Sequence, residues 1–287
     1  MIWLRAAFGA LAMALALGAA GTASTALSDA PTWLERLLPA LLCTAIAVLL
    51  IRPWRRRSQL GLTGGLRPFL IGVAVTGGSA VVMLGGGTAL GWIEWGPLEL
   101  SAVLLFLLTN GVIAVLLEAF PEELTLRGHT YTTLRAAHRP WLTAVGTTFL
   151  FLLVPGLSTV IQFLLSRLIG VSSPTPSLAP SGEDPVGYFI LLTIFGFTLI
   201  AARTSTGSLY AGIATHLTFL TVNRLTLLGD DRDSGWSAEL TSPDVILLVP
   251  GYLLLAAIIY RFVINRGAGS GNASGLRRGG ARASTGA

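Results

Sequence analysis

The chain has no lysine, so all 19 of its basic residues are arginine. It has one cysteine, three histidines and only 14 acidic residues in 287 positions. Each scarcity excludes something. The single cysteine, Cys43, cannot form an intrachain disulfide, and no cysteine cluster exists to hold a metal. The three histidines, His129, His138 and His216, include no H-E-x-x-H pair, so a full zinc site cannot be assembled from them. Charged residues make up 11% of the chain, less than half the roughly 25% of a soluble domain. Such a chain lacks the polar surface that water requires. Its net charge of +5 therefore reads as a signal of membrane orientation, and membrane lipid is a more natural partner than nucleic acid.

In place of charge there is apolar sequence, 53% of the chain, with a mean hydropathy of +0.72. Eight apolar stretches stand out, at about 6–23, 37–51, 68–92, 98–118, 141–166, 186–202, 207–228 and 244–264. Most approach the roughly 20 residues that a helix needs to cross a bilayer. The runs are continuous rather than alternating, which argues against a barrel. The expected fold is all-α, a polytopic transmembrane helical bundle of about eight spans. The first stretch, with Arg5 before an apolar core and small residues after it, has the form of either a retained helix or a signal peptide. Three regions are expected. Residues 1–66 hold the first two helices and a basic loop, 67–264 form the membrane core, and 265–287 are a disordered Gly/Ser/Arg tail.

Placing the N-terminus in the cytoplasm sorts the arginines unevenly. Arg5, Arg52, Arg55, Arg56, Arg57, Arg67, Arg127, Arg135, Arg139, Arg203, Arg261, Arg266, Arg277, Arg278 and Arg282 fall inside. Only Arg36, Arg167, Arg224 and Arg232 fall outside, giving 15 against 4. Both termini are then cytoplasmic, and the chain is a multi-pass protein of the cell membrane. The acids sort the opposite way. Of the 14, only Glu118, Glu122 and Glu123 lie at the inner end.

Those three occur in "EAFPEELTLRG". On a helix, Glu118 and Glu122 share one face, and Glu123 and Arg127 share another, in the favourable order for an ion pair. Pro121 is expected to break or kink the helix. A second stretch, "TGSLYAGIATHLTFLTVNR", carries His216 about 12 Å along its helix from Ser208. His129 and His138 instead lie in the arginine-rich loop. A buried carboxylate and a buried imidazole can together activate water, one taking the proton and the other stabilising charge. Along a straight helix Glu122 stands about 36 Å from Leu98, beyond the apolar core, whereas His216 lies deeper. A water-filled inner cavity open to the cytoplasm is the expected solution.

These two stretches resemble the CPBP family, which comprises the type II CAAX prenyl endopeptidases and bacteriocin-processing or immunity (Abi) proteins. Glu122, Glu123, Arg127 and Gly128 match its E-E-x-x-x-R-G motif, and Thr206, Gly207, Ser208, Leu209 and His216 match its last motif. The resemblance covers about 97–226. It implies an intramembrane endopeptidase acting on membrane-associated or lipidated peptides. By resemblance, Glu122 is the general base, Glu123 and Arg127 form a supporting ion pair (or exchange roles with Glu122), and His216 stabilises the oxyanion. Glu118, His129 and Asn223 are auxiliary candidates. Some members are described as metalloproteases, but no complete ligand set for a divalent metal is present here.

The chain departs from the family twice. Its second motif, F-x-x-x-H, reads either Phe149 to Leu153 or Phe151 to Pro155, without histidine. The third-motif asparagine position is Leu220, with Asn223 one turn further on. A degenerate homologue that binds a peptide or membrane partner is therefore an alternative reading. A small transporter with Glu118 and Glu122 on an ion path is a further one.

Overall fold

The computed structural model describes residues 1–180 and 183–264, so the expected disordered tail lies outside the described residues. The fold is an all-α membrane bundle. Seven helical segments are long and apolar enough to cross a bilayer. They begin with α1 (Ile2–Ala26), α2 (Thr32–Ile51) and α3 (Leu66–Ala89). A continuous 36-residue helix, α4 (Leu100–Arg135), follows. Next come α5 (Pro140–Leu152) and α6 (Val154–Ile169), which form one span interrupted at Leu153 just before Pro155. The interruption is where a proline withdraws a backbone donor. After α7 (Pro185–Thr206) comes α8 (Leu209–Leu225), and α9 (Leu248–Ile259) belongs to the last span.

The seventh apolar stretch of the sequence forms α8, which at 17 residues is too short to count among the seven long spans. Its neighbours still carry it through the bundle, because it runs parallel to α3. Ser208 Oγ donates to the Thr63 carbonyl at 2.5 Å. A Cβ on Gly72 would meet Ala214 and Ala211, and a Cβ on Gly77 would touch Thr218. Further along, Val222 packs with Leu84. Close approach of this kind at small residues is how membrane helices gain packing energy without a hydrophobic driving force.

The first helix packs into the core. Ala6, Ala10, Met13, Ala14 and Ala16 are buried. On its small-residue side, Gly18 faces Ile161 and Gly21 faces Gln162 of α6. Lipid-facing surfaces read the opposite way. Leu104, Leu105, Leu108 and Val112 of α4 are exposed, which suits lipid and would not suit water. At the end of the bundle away from Arg5, two short strands, β1 (Ile93–Trp95) and β2 (Ala238–Leu240), pair antiparallel. Trp95 stacks on Trp236 there at 4.3 Å between ring centroids. This strand pair joins loops far apart in sequence, so no local pattern announced it.

Pro121 does not break α4. The helix instead widens into π-helical turns over Val115–Ala119 and Glu123–Thr130. Phe120 N–H reaches the Val115 carbonyl, five residues back. A π turn absorbs the register mismatch of a proline, and such turns are frequent at functional sites. The second of them carries the E-E-x-x-x-R segment.

Candidate active site

The T-G-S-L segment is the device that places His216. Gly207 takes the left-handed conformation, φ 68°, and ends α7. Ser208 then caps α8, its side chain accepting from the Tyr210 N–H. Leu209 is buried, and its N–H donates to the Gly61 carbonyl at 2.7 Å. The reversal is thus fixed at both ends. α8 runs antiparallel to the π-helical part of α4, with Gly128 beside Leu209 and Glu123 beside Gly212.

Three charged or ionisable side chains converge in that ladder. Arg127 Nη1 lies 3.2 Å from Glu123 Oε1, with both side chains fully buried. His216 Nδ1 lies 3.5 Å from the same oxygen, and His216 is 2% exposed. Gly212 makes the approach possible, since a Cβ there would stand 2.6 Å from Glu123 Oε2. Aromatic rings close the cluster. Arg127 sits over the Phe151 ring at 4.4 Å, and Phe195 meets His216 edge-on at 4.8 Å. Phe219 stacks on Phe195 in turn.

The cluster is close but uncommitted. Both Glu123 carboxylate oxygens, all three Arg127 guanidinium nitrogens and His216 Nδ1 are buried without a well-formed hydrogen bond. Taking even paired charges out of water costs several kcal/mol per ion in general, so a buried pair with so few hydrogen bonds is retained only for a reason. Glu122, one residue earlier, is partly exposed. Among the described residues no hydrogen bond or ion pair engages its carboxylate; only its backbone carbonyl accepts, from Thr125 Oγ1.

The auxiliary candidates go elsewhere. Glu118 Oε1 accepts from Arg224 Nη2 at 2.5 Å, so the inner-end acid and the outer-side arginine of the sequence reading share one level. The π turn and the long arginine side chain bring them together. Asn223 donates to the Phe219 carbonyl at 2.9 Å and to the Tyr252 hydroxyl at 2.8 Å, away from His216. His129 Nε2 contacts the Arg5 carbonyl at 3.0 Å and does not fold back to Glu122. Of the two second-motif registers, only Phe151 faces the cluster. Phe149 and Leu153 are exposed, and Pro155 stands one turn beyond Phe151.

A cavity of about 650 Å³ lies by His129 and Arg5, and another of about 420 Å³ lies along α7 at Phe189. Glu122, Glu123, Arg127 and His216 line neither. The continuous helix, widened by its π turns, brings Glu123 level with His216, within 3.5 Å of it. Among the described residues no three His, Cys, Asp or Glu side chains gather to hold a metal.

The signals that sequence reading missed were Gly212 and Phe151. A glycine four residues before a membrane histidine marks a place where another helix delivers a bulky polar group. Phe151 was visible only as a motif remnant. Residues 102–222, less than half of the chain, match the family model described as Type II CAAX prenyl endopeptidase Rce1-like. The matched segment runs from α4 into α8 and contains Glu122, Glu123, Arg127 and His216. No curated protein and no solved structure gives a significant match to the chain.

Proposed function

The chain belongs to the CPBP family, and on that premise we propose that it is an intramembrane endopeptidase of membrane-associated or lipidated peptides. One observation carries the reading. Glu123 stands within 3.2 Å of Arg127 and 3.5 Å of His216, while the carboxylate of the adjacent, partly exposed Glu122 has no ion-pair partner among the described residues. Glu122 takes a proton from water, and the hydroxide adds to the scissile carbonyl carbon. Glu123 orients His216 through Nδ1, which leaves Nε2 to donate to the oxyanion. Collapse of the tetrahedral intermediate breaks the C–N bond, and Glu122 returns its proton to the leaving amine. Among the described residues no three His, Cys, Asp or Glu side chains gather to hold a metal, and no step is drawn through one. The site works from the cytoplasmic side of the cell membrane, the side to which the arginine count assigns Arg127.

A second reading has its own support. The Phe151 register ends in Pro155, and the Asn223 amide is already bonded to Tyr252, so two groups of the family's site are missing from this cluster. A chain of that kind can bind a peptide without cutting it. Cleavage of fluorogenic lipidated and membrane peptides by the purified chain separates the two. The protease reading expects turnover that falls about 10²–10⁴-fold in Glu122→Gln. It expects a fall of about 10²–10³-fold in His216→Ala. Peptide binding without turnover, weakened by the same substitutions, would establish the second reading instead.

A further inference from the structure

The larger cavity lies outside the glutamate–histidine cluster and has a chemistry of its own. It is a groove of about 650 Å³ between the start of α1, the loop after α2 and the last turns of α4. Its volume falls within the general range of small-molecule sites. The polar side presents Arg5 and Arg56, two exposed guanidinium groups, with Gln59, Thr132 and Thr133 between them. No aspartate or glutamate lines it. Fixed cations, further donors and no competing carboxylate make a site for an anion, and guanidinium suits phosphate oxygens in particular.

The other side is apolar. Ile2, Leu4 and Phe8 line it, and Leu4 is 77% exposed at the very start of the first span. An anion carrying an apolar chain fits both sides, whereas a free anion would leave Leu4 and Phe8 bare. The scaffold is firm where the two sides meet. His129 Nε2 contacts the Arg5 carbonyl at 3.0 Å, and Thr130 Oγ1 donates to the Ala6 carbonyl at 2.8 Å. The ring of Phe8 meets His129 edge-on at 5.8 Å. Arg55 and Arg57 flank Arg56 in the same loop, at the arginine-rich end of the bundle. That end faces the leaflet that carries anionic lipid in the positive-inside arrangement.

We propose that this groove binds one anionic phospholipid, its phosphate between Arg5 and Arg56 and its acyl chain along Leu4 and Phe8. Native mass spectrometry of the full chain in neutral detergent tests it, with equimolar phosphatidylglycerol and phosphatidylcholine. One phosphatidylglycerol should be retained in preference to phosphatidylcholine. At about 1 kcal/mol per arginine, Arg5→Gln/Arg56→Gln should lower that preference by roughly 10–30-fold. Both side chains are exposed, so the melting temperature should not move; Arg56→Gln alone, in a loop, guards against a folding defect at α1. Inorganic phosphate should compete only weakly, and Leu4→Ser should weaken lipid retention without altering phosphate competition. Equal retention of the two lipids, or a preference unchanged by the arginine substitutions, would overturn the proposal. So would tight binding of inorganic phosphate without lipid selectivity, which would make the groove a site for a free anion.

Discussion

Helix α4 meets α8 through two acid–base contacts, and they are built differently. At Glu118, the acid and Arg224 share a short hydrogen bond, with side chains 22% and 13% exposed, and Asn110 Oδ1 stands 3.5 Å from the same guanidinium. At Glu123, Arg127 and His216 approach within 3.2 and 3.5 Å, but their polar atoms are buried without well-formed hydrogen bonds. The first contact is satisfied and partly solvated, as a structural ion pair between helices should be. The second holds charge in reserve against an aromatic wall. Both lie within a few turns of the same two helices, so burial and hydrogen-bond geometry, not residue type, separate a clamp from a candidate catalytic centre. The family match divides them too: it ends at residue 222, just short of Arg224.

The strongest way to test the contrast is to remove a partner from the buried cluster. Arg127→Met leaves Glu123 as a buried acid without its guanidinium partner. It should lower stability by about 3–5 kcal/mol, measured by thermal or denaturant unfolding in detergent. Adding Glu123→Gln to that variant removes the orphaned charge, and more than half of the loss should return. A cycle with no recovery would mean that Arg127 acts by packing alone, and the cluster would lose its electrostatic reading.

A smaller effect is expected from Gly212→Ala. The new Cβ would stand 2.6 Å from Glu123 Oε2, so carboxylate or helix must shift. A cost of about 1–3 kcal/mol is expected for such overpacking. Turnover should fall with it, because His216 is oriented by the displaced carboxylate. A variant with wild-type stability and activity would show that the α4–α8 approach is looser than this geometry. Smaller again is Phe151→Leu, which keeps an apolar side chain but removes the ring under Arg127. The cation–π contact is worth about 1–2 kcal/mol when desolvated, and unfolding should shift by that amount.

Much of this was legible in the sequence, but not evenly. The spans came from hydropathy, because lipid contact selects continuous apolar runs whatever their partners. Glu123 and Arg127 were readable as a pair from their spacing, since both sit on one helix. His216 was readable as buried. What joins His216 to Glu123 was not, because that contact depends on how two helices a hundred residues apart are set against each other. Gly212 and the Gly207–Ser208 reversal decide that placement, and neither has a periodic signature. The π turns were hidden for a related reason. Pro121 announces a disturbed helix, but whether the chain breaks or widens depends on the packing that surrounds it. The Glu118–Arg224 pair was hidden because charge counting assigned its members to opposite sides of the membrane.

That pair supplies the mildest test. Glu118→Gln keeps a side-chain carbonyl for Arg224 Nη2 and removes only the charge. Arg224 retains Asn110 and a share of solvent, so the penalty is expected to be about 1 kcal/mol. Turnover should stay within a few-fold of the parent, in contrast with the large loss expected for Glu122→Gln one turn away. The two acids share a helix face at (i, i+4) spacing, so the comparison isolates hydrogen-bond commitment from position. If Glu118→Gln silences cleavage as fully as Glu122→Gln, the catalytic centre extends to Arg224, beyond the segment that matches the family. If it leaves cleavage intact, the satisfied pair is a clamp that holds α4 against α8 at the level where the unsatisfied one can act.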